Sequence, residues 1–287
     1  MAKIPAGSLR VLMVQEAPSS RHIDANVERI SVLLSDWSDI DIAVFPELFV
    51  TGYQLHFPGD LAVRVDGDVV SAIRQVCADC ETAFVGGYLE QGDDGCLYNS
   101  MLLIDACGAT AGNYRKTHLF GSESSVFDRG NALTCIDLGA VRIAPMICFD
   151  MEIAEVARTL AFGSPDVFIA IAANMEPFYV DHLVASRARA LDNRTPLVYV
   201  NRTGCEEGFD FVGGSRVVDS DGHVLEDLGS QQCIAAIDVP LRQDPLPEID
   251  YLRHLRPELY CRNDPPRPRR DRPYRERPRR ITRTGTK

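Results

Sequence analysis

The amino-acid sequence predicts an α/β fold, and three observations carry that prediction. Short apolar runs of strand length recur along the chain. Helical periodicity fills several of the gaps between them, and turn-forming clusters separate neighbouring runs. Residues 10–15 alternate little and read as a buried first strand. Residues 23–37 place Ile23, Val27, Ile30, Val32, Leu33 and Leu34 at helical spacing, which predicts an amphipathic helix. Residues 42–45 form a short buried strand that runs into Pro46-Glu47, and 69–80 read as a helix. Strands follow at 83–89, 97–104 and 109–115, broken by turns such as Gly92-Asp93-Asp94-Gly95. Residues 141–147 are a strand leading to Cys148, with a helix expected over 152–162. A buried strand at 166–172, a helix at 182–193 and a strand at 197–201 come next. Residues 212–218 and 223–227 read as a hairpin joined around Asp219-Ser220-Asp221-Gly222. No internal repeat is present.

Composition narrows the class. The chain has 287 residues, 45% hydrophobic and 25% charged, enough for a sizeable core and unlike a disordered, collagenous or fibrous protein. No apolar run approaches the roughly 18 residues of a membrane helix, so no membrane association is expected. The N-terminal stretch lacks the apolar core of a signal peptide, and the nine cysteines are odd in number with no close-spaced framework. A reduced, cytoplasmic protein is therefore expected. The net charge is −11, yet residues 262–287 hold eleven basic side chains against three acidic ones. The remaining body is strongly acidic, which argues against nucleic-acid binding outside that tail. The tail has only Tyr274 and Ile281 as clear apolar residues, too few to offset ordering entropy, so disorder is expected over 262–287. A solvated tail is the plain reading; an electrostatic arm for nucleic acid or an acidic partner is the functional one.

Most familiar chemistries are missing. The six histidines show no HExxH or paired spacing, so no metal site is expected. Cys77-Ala78-Asp79-Cys80 is a lone CxxC on a helix, better explained by core packing. Gly86-Gly87 and Gly213-Gly214 lack a phosphate-cradling pattern, and there is no GxSxG. Three residues at strand C-terminal ends are more informative, because α/β folds place their sites there. Cys148 follows the strand at 141–147 and precedes a helix, where a helix N-terminus would favour the thiolate. A free cysteine is otherwise a small buried hydrophobe. Glu47 ends another buried strand among apolar neighbours, where burial would raise its pKa and suit a general base. Lys116, the one interior lysine, follows a third strand; held there it needs an anionic partner, whereas a loop lysine is ordinarily exposed.

The segments carrying these residues, FPELFVTGY (45–53), YRKTHLF (114–120) and MICFD (146–150), resemble the three signature segments of the nitrilase or carbon–nitrogen hydrolase superfamily, in order. The spacings, 69 residues from Glu47 to Lys116 and 32 from Lys116 to Cys148, also fit. The resemblance continues through ANMEP (173–177), RARALDN (187–193), VYVNRTG (198–204), DSDGHVL (219–225) and YLRHLRPELY (251–260).

The resemblance implies a four-layer αββα sandwich over residues 1–261, a homodimer or higher homo-oligomer, and no metal or organic cofactor. It implies Cys148 as nucleophile, Glu47 as general base, Lys116 on the oxyanion side and Glu123 as a second, supporting glutamate. Tyr53, the Phe149 N–H, Asn174 and Glu176 are the expected substrate contacts, with Asp181 a further acidic candidate at the pocket mouth. The implied reaction takes a small aliphatic amide, including ω-amino or guanidino amides, to its acid plus ammonia through a thioester. An N-carbamoyl amidohydrolase or a nitrilase is the alternative, and an inactive binding or scaffold protein using the basic tail is the alternative of another class. The chain departs from the pattern at Ile153-Ala154, in place of Phe-Pro, and at Phe127-Asp128-Arg129-Gly130, in place of Phe-x-Pro-Gly.

Overall fold

A computed structural model describes residues 7–56 and 58–260. The Arg/Pro-rich segment 262–287, expected to be disordered, lies outside the described residues. One compact unit runs through Arg253, and a second begins at His254 and contains the short helix Pro257–Tyr260.

The first half of the large unit comprises β1 (Ser8–Gln15), α1 (Ile23–Asp36), β2 (Ile42–Val44), α2 (Asp68–Cys80), β3 (Ala83–Gln91), β4 (Leu97–Ile104) and β5 (Thr110–Arg115). The second half comprises β6 (Ile136–Leu138), β7 (Val141–Ile147), α3 (Phe149–Glu152), α4 (Ala154–Ala161), β8 (Val167–Ala172), α5 (Tyr179–Asn193), β9 (Leu197–Asn201), β10 (Thr203–Glu206), β11 (Phe209–Val212), β12 (Arg216–Val218), β13 (Val224–Asp227) and β14 (Cys233–Pro240). Two six-stranded sheets result, ordered β14-β1-β2-β3-β4-β5 and β13-β12-β9-β8-β7-β6. In each, three central strands are parallel (β1-β2-β3 and β7-β8-β9) and the flanking strands pair antiparallel.

The period-2 side-chain alternation of a strand explains the layering. In β1, Val11 and Met13 join the core shared with β7, β8 and β9, while Leu12 and Val14 join Ile30, Leu33 and Leu34 of α1 and Val70, Ile73 and Cys77 of α2. Val156, Ala157 and Leu160 of α4 and Ala185 and Ala190 of α5 pack on the second sheet. The order is thus helix, sheet, sheet, helix. Strands β7, β8 and β9 are buried almost throughout, as parallel strands covered on both faces must be. Gln15 ties the sheets together: its Oε1 accepts from Ser215 N at 2.7 Å, and its Nε2 donates to Gly229 O at 2.9 Å. No helix among the described residues is long and apolar enough to cross a membrane.

Several boundaries differ from expectation. The helix expected over 152–162 starts only at Ala154, because Ile153 is extended (φ −85°, ψ 110°) and separates α4 from the single turn α3. The strand expected over 212–218 is broken at Gly213 and Gly214, both at positive φ. Val212 instead ends the hairpin β10–β11, whose turn residues Glu207 and Gly208 also have positive φ. Such turns usually carry Asn-Gly or Asp-Gly, so Glu-Gly disguised it. The edge strand β14 is not among the expected strands, because Ala235-Ala236 blurs its alternation. Cys77 packs in the layer between helix and sheet, and burial pushes its thiol up to about 12.

Candidate active site

Strands β2, β7 and β8 run parallel within their sheets, and β5 runs the same way as β3. Their C-terminal ends therefore gather at one edge of the sandwich. Glu47 sits three residues past β2, in a tight turn closed by Gly52 N donating to Leu48 O at 2.7 Å. It is fully buried. Its Oε1 accepts from Lys116 Nζ at 2.7 Å and from Asn99 Nδ2 at 2.7 Å, and its Oε2 accepts from Ala173 N at 2.6 Å. The surroundings expected to be apolar thus contain three donors. Gly87 of β3 lies against this turn: a Cβ there would stand 2.2 Å from Leu48 N and 2.6 Å from Glu47 Cα.

Lys116 directly follows β5. Its backbone is pinned on both sides, its N donating to Asn99 O and its O accepting from Gly130 N, each at 2.8 Å. The departure at 127–130 keeps that glycine, where a Cβ would meet Arg115 O at 2.1 Å. The ammonium is fully buried, which requires paired charge. Nζ reaches Glu47 at 2.7 Å and Glu123 at 2.9 Å. Burial pulls this ammonium down, but Glu123 and Glu47 outweigh it and hold Lys116 well above its ordinary value.

Glu123 belongs to a short 3-10 helix, Gly121–Ser125, not to a solvated loop. Its Oε1 also accepts from Tyr53 OH at 3.0 Å, and its Oε2 from Phe120 N at 2.8 Å. Burial raises its pKa; Lys116 opposes and Glu47 adds, leaving Glu123 above the usual carboxylate range. Two carboxylates around one ammonium leave an excess negative charge, which acts in the same direction.

Cys148 sits at the elbow between β7 and α3 with φ 50° and ψ −104°, a conformation that a residue with a Cβ rarely adopts. Its N donates to Ile171 O at 2.8 Å. The sulfur is buried with Glu47, Lys116 and Glu123 as its charged neighbours, and the Ala173 N–H that serves Glu47 also faces it. The expectation of a favoured thiolate is overturned. Burial, reinforced by Glu47, pushes the thiol well above its ordinary value despite Lys116, and α3 is a single turn. The Cys148 side chain is thereby held toward its thiol form.

The other expected residues are placed as follows. Tyr53 is in the cluster through Glu123, and burial raises its hydroxyl. Phe149 follows Cys148, with its ring 5.5 Å from Phe120, which lies 5.1 Å from Phe178. Asn174 adjoins Ala173, but its side chain serves its own turn, Oδ1 accepting from Met175 N at 2.9 Å and Nδ2 donating to Phe178 O at 3.3 Å. Glu176 is exposed, and Asp181 is half-buried in the first turn of α5. Sequence reasoning missed Asn99, Gly87, Ala173 and the buried Asp150. Asn99 had a legible signal: it belongs to a polar pair, Asn99-Ser100, inside a strand whose remaining residues are apolar or aromatic.

Comparison with known proteins agrees with this geometry. Residues 10–244 match the family described as carbon-nitrogen hydrolase. The chain is 34% identical over 259 residues to a hydrolase encoded in the pqqF 5′ region of Pseudomonas protegens, covering 88% of this chain and 91% of that protein. It is 32% identical over 249 residues to an (R)-stereoselective amidase of a Pseudomonas species, covering 85% and 89%. The crystal structure of a Nesterenkonia amidase superposes with a TM-score of 0.79 at 25% identity, covering 90% of this chain and 97% of that one. A mutant of that amidase carries the acetamide moiety of fluoroacetamide covalently bound at its active-site cysteine. Two buried carboxylates, a buried lysine and an elbow cysteine at one edge of an αββα sandwich thus coincide with a match over most of the chain, and this protein belongs to the carbon–nitrogen hydrolase family, enzymes that cleave carbon–nitrogen bonds other than peptide bonds.

Proposed function

We propose that the protein is a cysteine amidase that converts a small aliphatic amide to its carboxylic acid and ammonia, with Cys148 as nucleophile and Glu47 as general base. The observation carrying this reading is the buried convergence of Glu47, Lys116 and Glu123, bonded through Lys116 at 2.7 and 2.9 Å, beside the buried Cys148 sulfur at the β7–α3 elbow. Glu47 takes the thiol proton as sulfur attacks the carbonyl carbon and the S–C bond forms. The oxyanion is met by the Lys116 ammonium and the Phe149 N–H. Glu47 returns the proton to nitrogen, the C–N bond breaks and ammonia leaves. Water then attacks the thioester, Glu47 takes its proton and passes it to sulfur as the S–C bond breaks, giving the acid and the free thiol. Glu123, carrying a proton, supports the substrate amide, and Tyr53 orients Glu123. No step calls on a metal or organic cofactor.

Amides with an ω-amino or guanidino group are the finer reading; Glu176 and Asp181, on the segment after β8, are the carboxylates that would meet the cation. A homo-oligomer is the assembly we propose. The test is an ammonia-release screen over amides, carbamoyl compounds and nitriles, with Cys148→Ala as control. The amides, 5-aminopentanamide and pentanamide among them, are expected to turn over in the parent and to be inert with Cys148→Ala. Turnover by Cys148→Ala, or release from nitriles alone, overturns the reading. Equal efficiency on those two amides removes the ω-cation refinement.

A further inference from the structure

Asp150 lies two residues past Cys148 and is fully buried, yet the reaction above gives it no step. Its Oδ1 accepts from Thr117 Oγ1 at 2.7 Å and His118 N at 2.9 Å, and lies 3.1 Å from His118 Nδ1. Its Oδ2 accepts from Tyr114 OH at 2.8 Å and Ile147 N at 3.2 Å. Tyr114, Thr117 and His118 flank Lys116 at the end of β5 in the first sheet. Ile147 precedes the nucleophile at the end of β7 in the second sheet. One carboxylate thus grips both halves of the site.

We propose that Asp150 is a positioning residue that clamps the 114–118 segment to the nucleophile elbow and so fixes where the Lys116 ammonium stands relative to the Cys148 sulfur. The inference rests on the roles proposed above for those two residues. Its warrant is the chemistry of the donors. Besides His118 Nδ1, whose role depends on its tautomer, four groups donate to Asp150, and only a carboxylate accepts from all four. Two are hydroxyls, which can rotate; two are backbone N–H groups, which cannot. An asparagine keeps one acceptor oxygen, so its NH2 must face either His118 N or Ile147 N, donor against donor. The elbow needs this support. Cys148 holds a sparsely populated backbone conformation, and such a conformation persists only when its surroundings over-determine it.

The test uses the full chain and an amide from the screen. Asp150→Asn, Thr117→Val and the double variant are compared for kcat and KM separately, for thermal midpoint, and for the rate at which 2-chloroacetamide alkylates Cys148, read by peptide mass. Asp150→Asn is expected to lower kcat about 100-fold with KM changed less than about threefold, since misplacing a reacting group by about 1 Å costs that much. Thr117→Val, on the lysine side of the clamp, is expected to slow alkylation of a cysteine it does not touch. The double variant is expected to fall little below Asp150→Asn, the non-additivity of groups acting through one contact. Unchanged alkylation in Thr117→Val, losses that multiply in the double variant, or a lowered midpoint with normal kcat in Asp150→Asn would each overturn the proposal. If Asp150→Asn does not fold, Tyr114→Phe takes its place, and normal kcat in both it and Thr117→Val overturns the proposal. A parent protein that turns over no amide would sink the proposed function instead; the alkylation comparison still decides the clamp, because it needs no turnover.

Discussion

Glu47 and Glu123 both touch Lys116, yet their surroundings assign them different work. Glu47 is buried beside the Cys148 sulfur with Lys116, Asn99 and Ala173 N fixing both its oxygens, which suits the proposed transfer of the thiol proton. Glu123 bonds to Tyr53, Phe120 and Lys116, and its raised pKa suits a proton donor toward the substrate. Glu123→Gln keeps the shape and loses the charge. It is expected to lower the rate by about 10²–10⁴, the range for a positioned acid–base group, while the thioester still forms. Glu47→Gln is expected to stop thioester formation itself. Mass spectrometry of enzyme mixed with amide separates the two, and a normal rate in Glu123→Gln would leave a three-residue site. All three main side chains were legible in the sequence as strand-end candidates, and it was the resemblance of the segments carrying them to the family's signature segments that gave them roles; the strand before Lys116, TAGNYR, is not itself apolar. The thiol's protonation state was not legible. It depends on burial and on Glu47, which lies 101 residues away in the chain.

At the scale of elements, the sequence yields the strands that bury both faces and loses those whose partners decide them. Strands β7, β8 and β9 are apolar runs and were read within a residue of their bounds. The edge strand β14 and the hairpin β10–β11 exist through pairing with β1 and with each other, which local composition does not reveal. Gly87 illustrates the same point within the site. From sequence it is half of a glycine pair without a phosphate pattern; in the fold it is the gap through which β3 passes the turn bearing Glu47. Its N donates to Pro46 O at 3.1 Å and its O accepts from Val50 N at 3.0 Å. Gly87→Ala forces a methyl group onto backbone atoms, not onto a yielding side-chain tip. It is expected to displace Glu47 and lower kcat by about 100-fold or more. Glu47-dependent thioester formation, followed by mass, checks this; a normal rate of acylation would mean that the turn shifts as a unit and keeps its aim.

For the whole molecule, buried carboxylates tie stability to pH. Burial would raise Glu206, but Arg202 and its other donors outweigh burial and hold it below the usual range. Its carboxylate also accepts from Tyr53 N at 3.0 Å and Gln54 Nε2 at 2.7 Å. A depressed folded pKa contributes stability that is fully present above the unfolded value, about 4.3 for glutamate, and lost as pH falls through the folded one. Glu206→Gln leaves the Arg202 charge buried without its partner, which costs about 3–5 kcal/mol when a buried pair is broken. Urea unfolding is therefore expected to separate parent and variant most at pH 7, with the gap closing below about pH 4. A gap independent of pH would assign the loss to packing. Scale also matters for the reaction, because its partners come from different sheets: Glu47 and Lys116 from the first, Cys148 from the second. How Glu47 stands relative to Cys148 then depends on how the two sheets pack on the hydrocarbon layer between them, where Val11, Met13, Val85 and Met101 meet the apolar strands opposite. That layer is a spacer as well as a core. A methylene added or removed there changes the reach of a proton transfer without touching any group that takes part, so packing choices in this interior set a catalytic dimension.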